Sequence, residues 1–196
     1  HGRAVGMIRV RMGRVVMVMI GIMAMPVVMP VTLRLMMIMI MTLGVCVIIR
    51  MFIHFSADAL NMMGSVEFVF DDIRNYRFEN CNLVTSIFTL QFMSKKDRAR
   101  VINEIYQGLN FGGGFIFAEK IDCENARLQD MMTFNYYDFK REKFDYDDIM
   151  TKEQTLRNML KPNTWSEIEN MLDFAGFKAV EQSWRNHNFV GAIAIK

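Results

Sequence analysis

The chain has 196 residues and a formal net charge of +2, enough length for one α/β domain with its own buried core. So small a charge argues against a protein built to grip a polyanion by total charge. The three cysteines, Cys46, Cys81 and Cys123, and the three histidines, His1, His54 and His187, have neither zinc-ligand spacing nor the density of a disulfide framework. No metal is expected, and a reducing compartment fits.

The first element is an anomaly of composition. Residues 1–57 contain no Asp, Glu or Lys; their charges are Arg3, Arg9, Arg11, Arg14, Arg34 and Arg50, and 14 of the 20 methionines lie at or before Met63. From Asp58 onward the composition is that of an ordinary globular chain, which divides the sequence into an N-terminal segment, 1–60, and a domain from residue 65 to 196. Val15–Leu33 is an uncharged run about long enough to span a bilayer, interrupted by Pro26 and Pro30, and Leu35–Ile49 is a shorter second run. A membrane association is therefore conceivable only through residues 15–49. A secretory signal fits less well, because the apolar region is too long and lacks a clear small-residue cleavage site. A shifted reading frame would give the same bias, and composition does not separate these readings.

The domain reads more plainly. Val66–Phe70 is a buried strand ending in Asp71-Asp72, and Asn82–Phe92 is a second strand, β-branched and aromatic at its centre. Ser94-Lys-Lys-Asp97 is a capping-box start for a helix whose apolar face is Val101, Ile102, Ile105, Tyr106 and Leu109. Gly112-Gly113-Gly114 follows, and then a third strand, Phe115–Ala118, with Glu119-Lys120 at its end. A phosphate-cradling loop runs strand, glycines, helix, so that the helix N-terminus meets the anion. Here the order is helix, glycines, strand, so the trio is read as a helix exit rather than a cofactor loop.

Residues 125–160 read as helical, with an aromatic stripe of Phe134, Tyr136, Tyr137, Phe139, Phe144 and Tyr146 that packs on the sheet or forms a lid. Thr164-Trp-Ser-Glu167 is a full capping box for a helix with Ile168, Met171 and Leu172 inside and Gly176 at its end. Phe177–Asn186 and Phe189–Ile195, joined at His187-Asn188, read as a terminal hairpin. Strands alternating with helices predict a parallel, doubly wound α/β sheet closed by that hairpin. Ligands of such sheets bind at the strand carboxyl ends, where this order places Asp71, Asp72, Thr89, Gln91, Glu119 and Lys120. The basic run Lys95, Lys96, Arg98 and Arg100 reads as a solvated helix start, and no direct nucleic-acid surface is evident.

Several of these segments together carry a resemblance. Asp71-Asp-Ile-Arg-Asn75, Ile87-Phe-Thr-Leu-Gln-Phe92, Ile105–Asn110 with its glycines, Ala118-Glu-Lys120, Asp138-Phe-Lys-Arg141 and Asn188-Phe189 resemble the carboxy-S-adenosyl-L-methionine synthases over about residues 65–196. The resemblance implies a class I methyltransferase-like (Rossmann-like) fold. It implies a transferase that makes carboxy-S-adenosyl-L-methionine from S-adenosyl-L-methionine and prephenate for tRNA wobble-uridine modification. It also implies no metal, a homodimer and a cytoplasmic location. Carried over by position, Asp72 and Ile73 match the pair that holds the adenine. Ile87 stands where the family has a cofactor-binding Asn. Glu153, or Gln154 with a one-residue gap, stands where the family has the arginine that grips the added carboxylate, with Lys152 beside it. Phe111 replaces a proline before the glycines. No D-x-G-x-G loop and no ribose-binding acid is visible before Asp58. Weak or absent cofactor binding is therefore expected, and no catalytic residue is assigned. A fold that has lost its chemistry, a methyltransferase with another substrate and a membrane-anchored protein stay open beside the synthase reading.

Overall fold

In the computed structural model, which describes residues 6–12, 15–20, 66–157 and 159–196, the strand around Phe115-Ile-Phe-Ala118 lies well inside the sheet. The strands are β1 (Gly6–Met12), β2 (Val15–Ile20), β3 (Val66–Asp72), β4 (Cys81–Ile87), β5 (Leu109–Asp122), β6 (Asn163–Thr164), β7 (Ala179–Asn186) and β8 (Phe189–Ile195). The helices are α1 (Lys95–Gly108), α2 (Ala126–Arg141), α3 (Tyr146–Arg157) and α4 (Trp165–Ala175). Across the sheet the order is β3-β1-β2-β4-β5-β8-β7, with β6 pairing the end of β5.

β2, β4 and β5 are parallel, and Phe115–Ala118 pairs in register with Val84–Ile87. The expected terminal hairpin is present, with β8 antiparallel to both β5 and β7. The fold is thus an open α/β sheet ending in an antiparallel hairpin. It departs from the parallel expectation at the other edge, where β1 runs antiparallel to both β2 and β3. Val15–Ile20, the start of the run weighed as a membrane span, is a strand in this sheet. The rest of that run, and all but residues 6–12 and 15–20 of the region where a glycine loop and ribose acid were expected, lie outside the described residues. Among the described residues no helix is long and apolar enough to cross a membrane.

Alternation along the strands builds the core. Val84, Phe115, Phe117, Val190, Ala192 and Ala194 share one face, and all are buried. Val101, Ile102 and Ile105 of α1 and Ile168 and Leu172 of α4 close over it, with Phe177 stacking at 6.1 Å on Phe115. At roughly 1.5–3 kcal/mol per fully buried aliphatic or Phe side chain, this layer is the main support of the domain. Both helix starts follow from the sequence. The Ser94 hydroxyl accepts from the Asp97 N–H, and Thr164 with Glu167 forms the full capping box. Gly176, at φ 116°, ends α4 as expected.

Three boundaries differ from the sequence reading. The second strand stops at Ile87 instead of running to Phe92, because Phe88 turns left-handed (φ 50°) and Leu90–Phe92 forms a short 3-10 turn. The first long helix ends at Gly108, just short of the Leu109-Asn110 end read from the sequence, with extended Leu109 as its cap. Gly112–Gly114 therefore lie inside β5, where only Gly112 is left-handed (φ 73°). The α1 end is met by Lys196, whose ammonium donates to the carbonyls of Tyr106 and Leu109, both at 2.7 Å, opposing the negative pole of the helix. Gly108 itself lies so close to the backbone of Phe78 that a Cβ there would fall 2.3 Å from the Phe78 carbonyl oxygen.

Candidate functional site

The carboxyl end of β5 opens onto a cavity of about 190 Å³. Lys120 and Asp122, at the end of β5, form its floor. Tyr136 and Tyr137 of α2 and Glu153 and Arg157 of α3 form its walls, and Asn188, from the hairpin turn, closes one side. The volume is below the 300–1,000 Å³ usual for whole ligands, so the cavity suits a small molecule or one end of a larger one.

The aromatic stripe explains how α2 is placed. No residue of α2 is fully buried. Tyr136 meets Phe189 edge-on at 5.3 Å and lies 5.6 Å from the His187 ring, while Phe88 meets Phe189 at 5.6 Å. Rings from the turn after β4, from β8 and from α2 thus converge beside the end of β5. Phe134 and Tyr146, expected in the same stripe, are exposed.

The electrostatics of this corner are unusual. Lys140 Nζ sits 4.1 Å above the Tyr136 ring and 5.7 Å from that of Tyr137. Burial, then repulsion from Lys152, pushes Lys140 down to about 8, although Glu153 opposes the shift. Burial likewise lowers Lys152. It also pushes Tyr136 up to about 12, with the Glu153 charge adding to the shift, and it raises Asp122. Asn188 is 2% exposed, and its Oδ1 has no hydrogen-bond partner. Among the described residues no ion pair joins Lys120, Lys140, Lys152 or Arg157 to an acid, whereas elsewhere Lys95 meets Glu167 at 2.6 Å and Lys178 meets Asp173 at 3.1 Å.

The sequence-predicted site residues separate into two places. Lys152 and Glu153 lie at this corner. Asp72 lies at the end of β3, where it caps the Ile73–Asn75 turn and holds Arg74 through both oxygens, at 2.5 Å from Nη2 and 2.9 Å from Nε. That pairing, the largest effect on it, keeps Asp72 below the usual carboxylate range. Ile73 is 1% exposed and belongs to the core. Ile87 ends β4, partly exposed, opposite Ala118 of β5.

Glu119, Gln91 and Thr89, placed by sequence at the strand ends, are there but turn inward. Glu119 accepts the Leu90 and Gln91 N–H groups at 3.0 and 2.6 Å, and Gln91 accepts the Lys120 N–H at 2.7 Å. Burial pushes Glu119 up to about 7 against the pull of Arg98. Arg98, expected in a solvated run, is instead 3% exposed and donates to the carbonyls of Leu90, Met93 and Lys161. This clasp, missed by sequence reading, fixes the turn below the cavity. Its only trace in the sequence is an arginine on the apolar side of α1. Among the described residues no three of His, Cys, Asp and Glu gather as a metal site.

The fold and site define an α/β-sheet protein with a small cavity at the carboxyl end of β5, lined by Lys120 and Arg157 and by Asp122 and Glu153. Over about two thirds of the chain the curated relatives are carboxy-S-adenosyl-L-methionine synthases. That of Staphylococcus epidermidis is 39% identical over 133 residues, covering 67% of this chain and 58% of its own length. That of Shewanella oneidensis is 38% identical over 132 residues, covering 67% of this chain and 54% of its own. That of Histophilus somni is 35% identical, covering 67% and 55%. The chain thus spans a little over half the length of these relatives, and the resemblance read from its motifs holds. No family model matches. Among solved structures, human N-acetylserotonin methyltransferase in complex with SAM has a TM-score of 0.44 at 15% identity, covering 64% of this chain and 32% of that one. PigF with SAH has a TM-score of 0.41 at 13% identity, covering 63% and 32%. Likeness of that degree is too loose to bear on chemistry.

Proposed function

We propose that this chain carries the substrate half of a carboxy-S-adenosyl-L-methionine synthase. In the proposed reaction S-adenosyl-L-methionine gains, on its sulfonium methyl carbon, the carboxyl group lost by prephenate, which leaves as phenylpyruvate and water. The product serves tRNA wobble-uridine modification. The observation that carries this reading is the 35–39% identity to synthases of that name across the domain that builds the cavity. Asp72 is assigned to the adenine amino group, sharing its carboxylate with Arg74, while Ile73, buried in the core, supports the Asp72 turn from beneath. Lys152 and Glu153 are assigned to the carboxylate end. The protein is proposed to act as a cytoplasmic homodimer.

Glu153 supports a second reading, a methyltransferase fold with little or no synthase activity. An acid facing an added carboxylate repels it, and Ile87 offers no hydrogen bond to the cofactor. Loss of one charge-assisted bond costs roughly 1.5–3 kcal/mol, or about one to two orders of magnitude in affinity. Incubation with S-adenosyl-L-methionine and prephenate, followed by mass spectrometry, separates the two. The synthase reading expects a sulfonium product heavier by one carboxyl group, dependent on prephenate. Its absence, with cofactor binding shown by equilibrium dialysis, would favour the second.

A further inference from the structure

Beneath the cavity three buried polar side chains, Gln91, Arg98 and Glu119, join into one hub. Glu119 holds the Leu90–Phe92 turn through the Leu90 and Gln91 N–H groups. Gln91 then reaches two parts of the cavity wall at once. Its side-chain oxygen accepts the Lys120 N–H at 2.7 Å, and its carbonyl accepts the Lys161 N–H at 2.8 Å. Arg98 donates to the Lys161 carbonyl as well as to that of Leu90. Both backbone polar groups of Lys161 are thus tied to the hub, and its neighbours Leu160 and Pro162 line the cavity. Pro162 has no N–H with which to add a tie. The seating of residues 160–162 against the cavity therefore depends on the hub staying shut.

A carboxyl group kept from water is the sensitive part of such a hub. Arg98 of α1 is the charge that acts on Glu119 directly, and the N–H groups of Thr89, Leu90 and Gln91 also favour its charged form, yet burial outweighs them. Glu167 of α4 acts on Arg98 in turn. β8 meets Glu119 with Val190, and the Leu90–Phe92 turn carries no charge. Opening the turn would let water reach the carboxyl, so a proton favours the shut hub and ionisation the open one. We propose that Glu119 is a proton-operated latch on the cavity: protonated, it keeps the hub shut and residues 160–162 seated, and ionised, it lets the Leu90–Phe92 turn open and frees Lys161 from both ties. The group titrates near 7 when shut and near 4.5 when hydrated, so opening grows as pH rises from about 4.5 and levels off above about 7. The latch acts on the wall of the cavity and holds for any ligand that the cavity takes.

The test is amide-resolved hydrogen exchange on the full chain between pH 5 and 8, each rate corrected for its intrinsic pH dependence. It compares wild type, Glu119→Gln and Asp122→Asn, the last because burial also raises Asp122 beside the cavity. In wild type the Leu90, Gln91, Lys120 and Lys161 amides should be less protected than those of Val84 and Phe117 within the sheet, as local opening requires. Their protection should fall together by up to about tenfold per pH unit between pH 5 and 7, the slope for one proton, and then level off. Glu119→Gln should abolish the slope, and Asp122→Asn should keep it. Flat protection in wild type overturns the latch, as does a slope that Asp122→Asn removes or that Glu119→Gln keeps. Hub amides protected as strongly as Val84 and Phe117 overturn it too, because they would then open only with the whole sheet. The wild-type and Asp122→Asn series decide the matter even if Glu119→Gln does not fold.

Discussion

Replacing Gly108 by Ala tests how tightly α1 is seated. A Cβ at Gly108 would lie 2.3 Å from the Phe78 carbonyl oxygen and 2.4 Å from both its carbonyl carbon and its Cβ. Ordinary contact begins near 3.4 Å, so backbone must yield by about 1 Å. Phe78 cannot yield freely: it is 5% exposed, in the core, and its ring meets Tyr76 edge-on at 4.8 Å. Overpacking typically costs about 1–3 kcal/mol, and a clash with main chain belongs at the upper end, about 3 kcal/mol, even after the helix-propensity gain of up to about 1 kcal/mol. Gly112 is the control. Its φ of 73° disfavours Ala, but nothing lies within 4 Å of a Cβ there. The left-handed penalty of about 1–2 kcal/mol is partly offset by about 0.4–1 kcal/mol of unfolded-state entropy. At roughly 2–4 °C per kcal/mol for a chain of this size, Gly108→Ala should melt about 6–12 °C lower than wild type and Gly112→Ala only about 2–4 °C lower. Circular dichroism melts of the three proteins decide it. If Gly108→Ala melts as high as Gly112→Ala, the close seating of α1 on the Phe78 backbone is wrong.

Arg98→Met removes the donors to three carbonyls and the cation nearest Glu119, and should cost roughly 3–5 kcal/mol in urea denaturation; a loss under 1 kcal/mol would show the clasp to be slack. Glu119 is raised from 4.5 to about 7 in the folded protein, so the stability it contributes is full below about pH 4.5 and lost as pH rises through about 7. Glu119→Gln should flatten that part of the stability–pH curve, and an unchanged slope would remove Glu119 as its source. In a chain that binds S-adenosyl-L-methionine detectably, Asp72→Ala should weaken binding about tenfold by calorimetry, as expected for one lost charge-assisted bond; unchanged affinity would take Asp72 out of the adenine site.

What the sequence made legible was whatever local chemistry decides. Thr164 with Glu167, Ser94 with Asp97, Gly176 and the His187-Asn188 turn each place an element boundary through a side chain or backbone angle within a few residues. Ile87–Phe92 misled because its apolar, β-branched pattern continues past the point where Phe88 turns left-handed, a conformation imposed by Glu119 gripping the next turn from 28 and 29 residues away. The glycine trio drew attention because it is conspicuous, yet the closest backbone approach is at Gly108, whose neighbour Phe78 is distant in sequence. Of the site, Lys152 and Glu153 were found through resemblance. Lys140 and Arg157 were not named as site residues, because only folding brings α2, α3 and the end of β5 to one cavity.

The place of β8 between β5 and β7 bears on how the protein is made. Until residues 189–195 exist, the Phe115–Ala118 edge of β5 has β4 on one side and unpaired backbone on the other. At about 5–20 residues per second, ribosomal synthesis leaves that apolar edge open for roughly 4–15 s after β5 is complete. An open edge of this kind is a template for wrong strand pairing. Newborn chains are thus most prone to aggregate in that interval, and slowing translation between positions 122 and 195 lowers the soluble yield without changing a single residue.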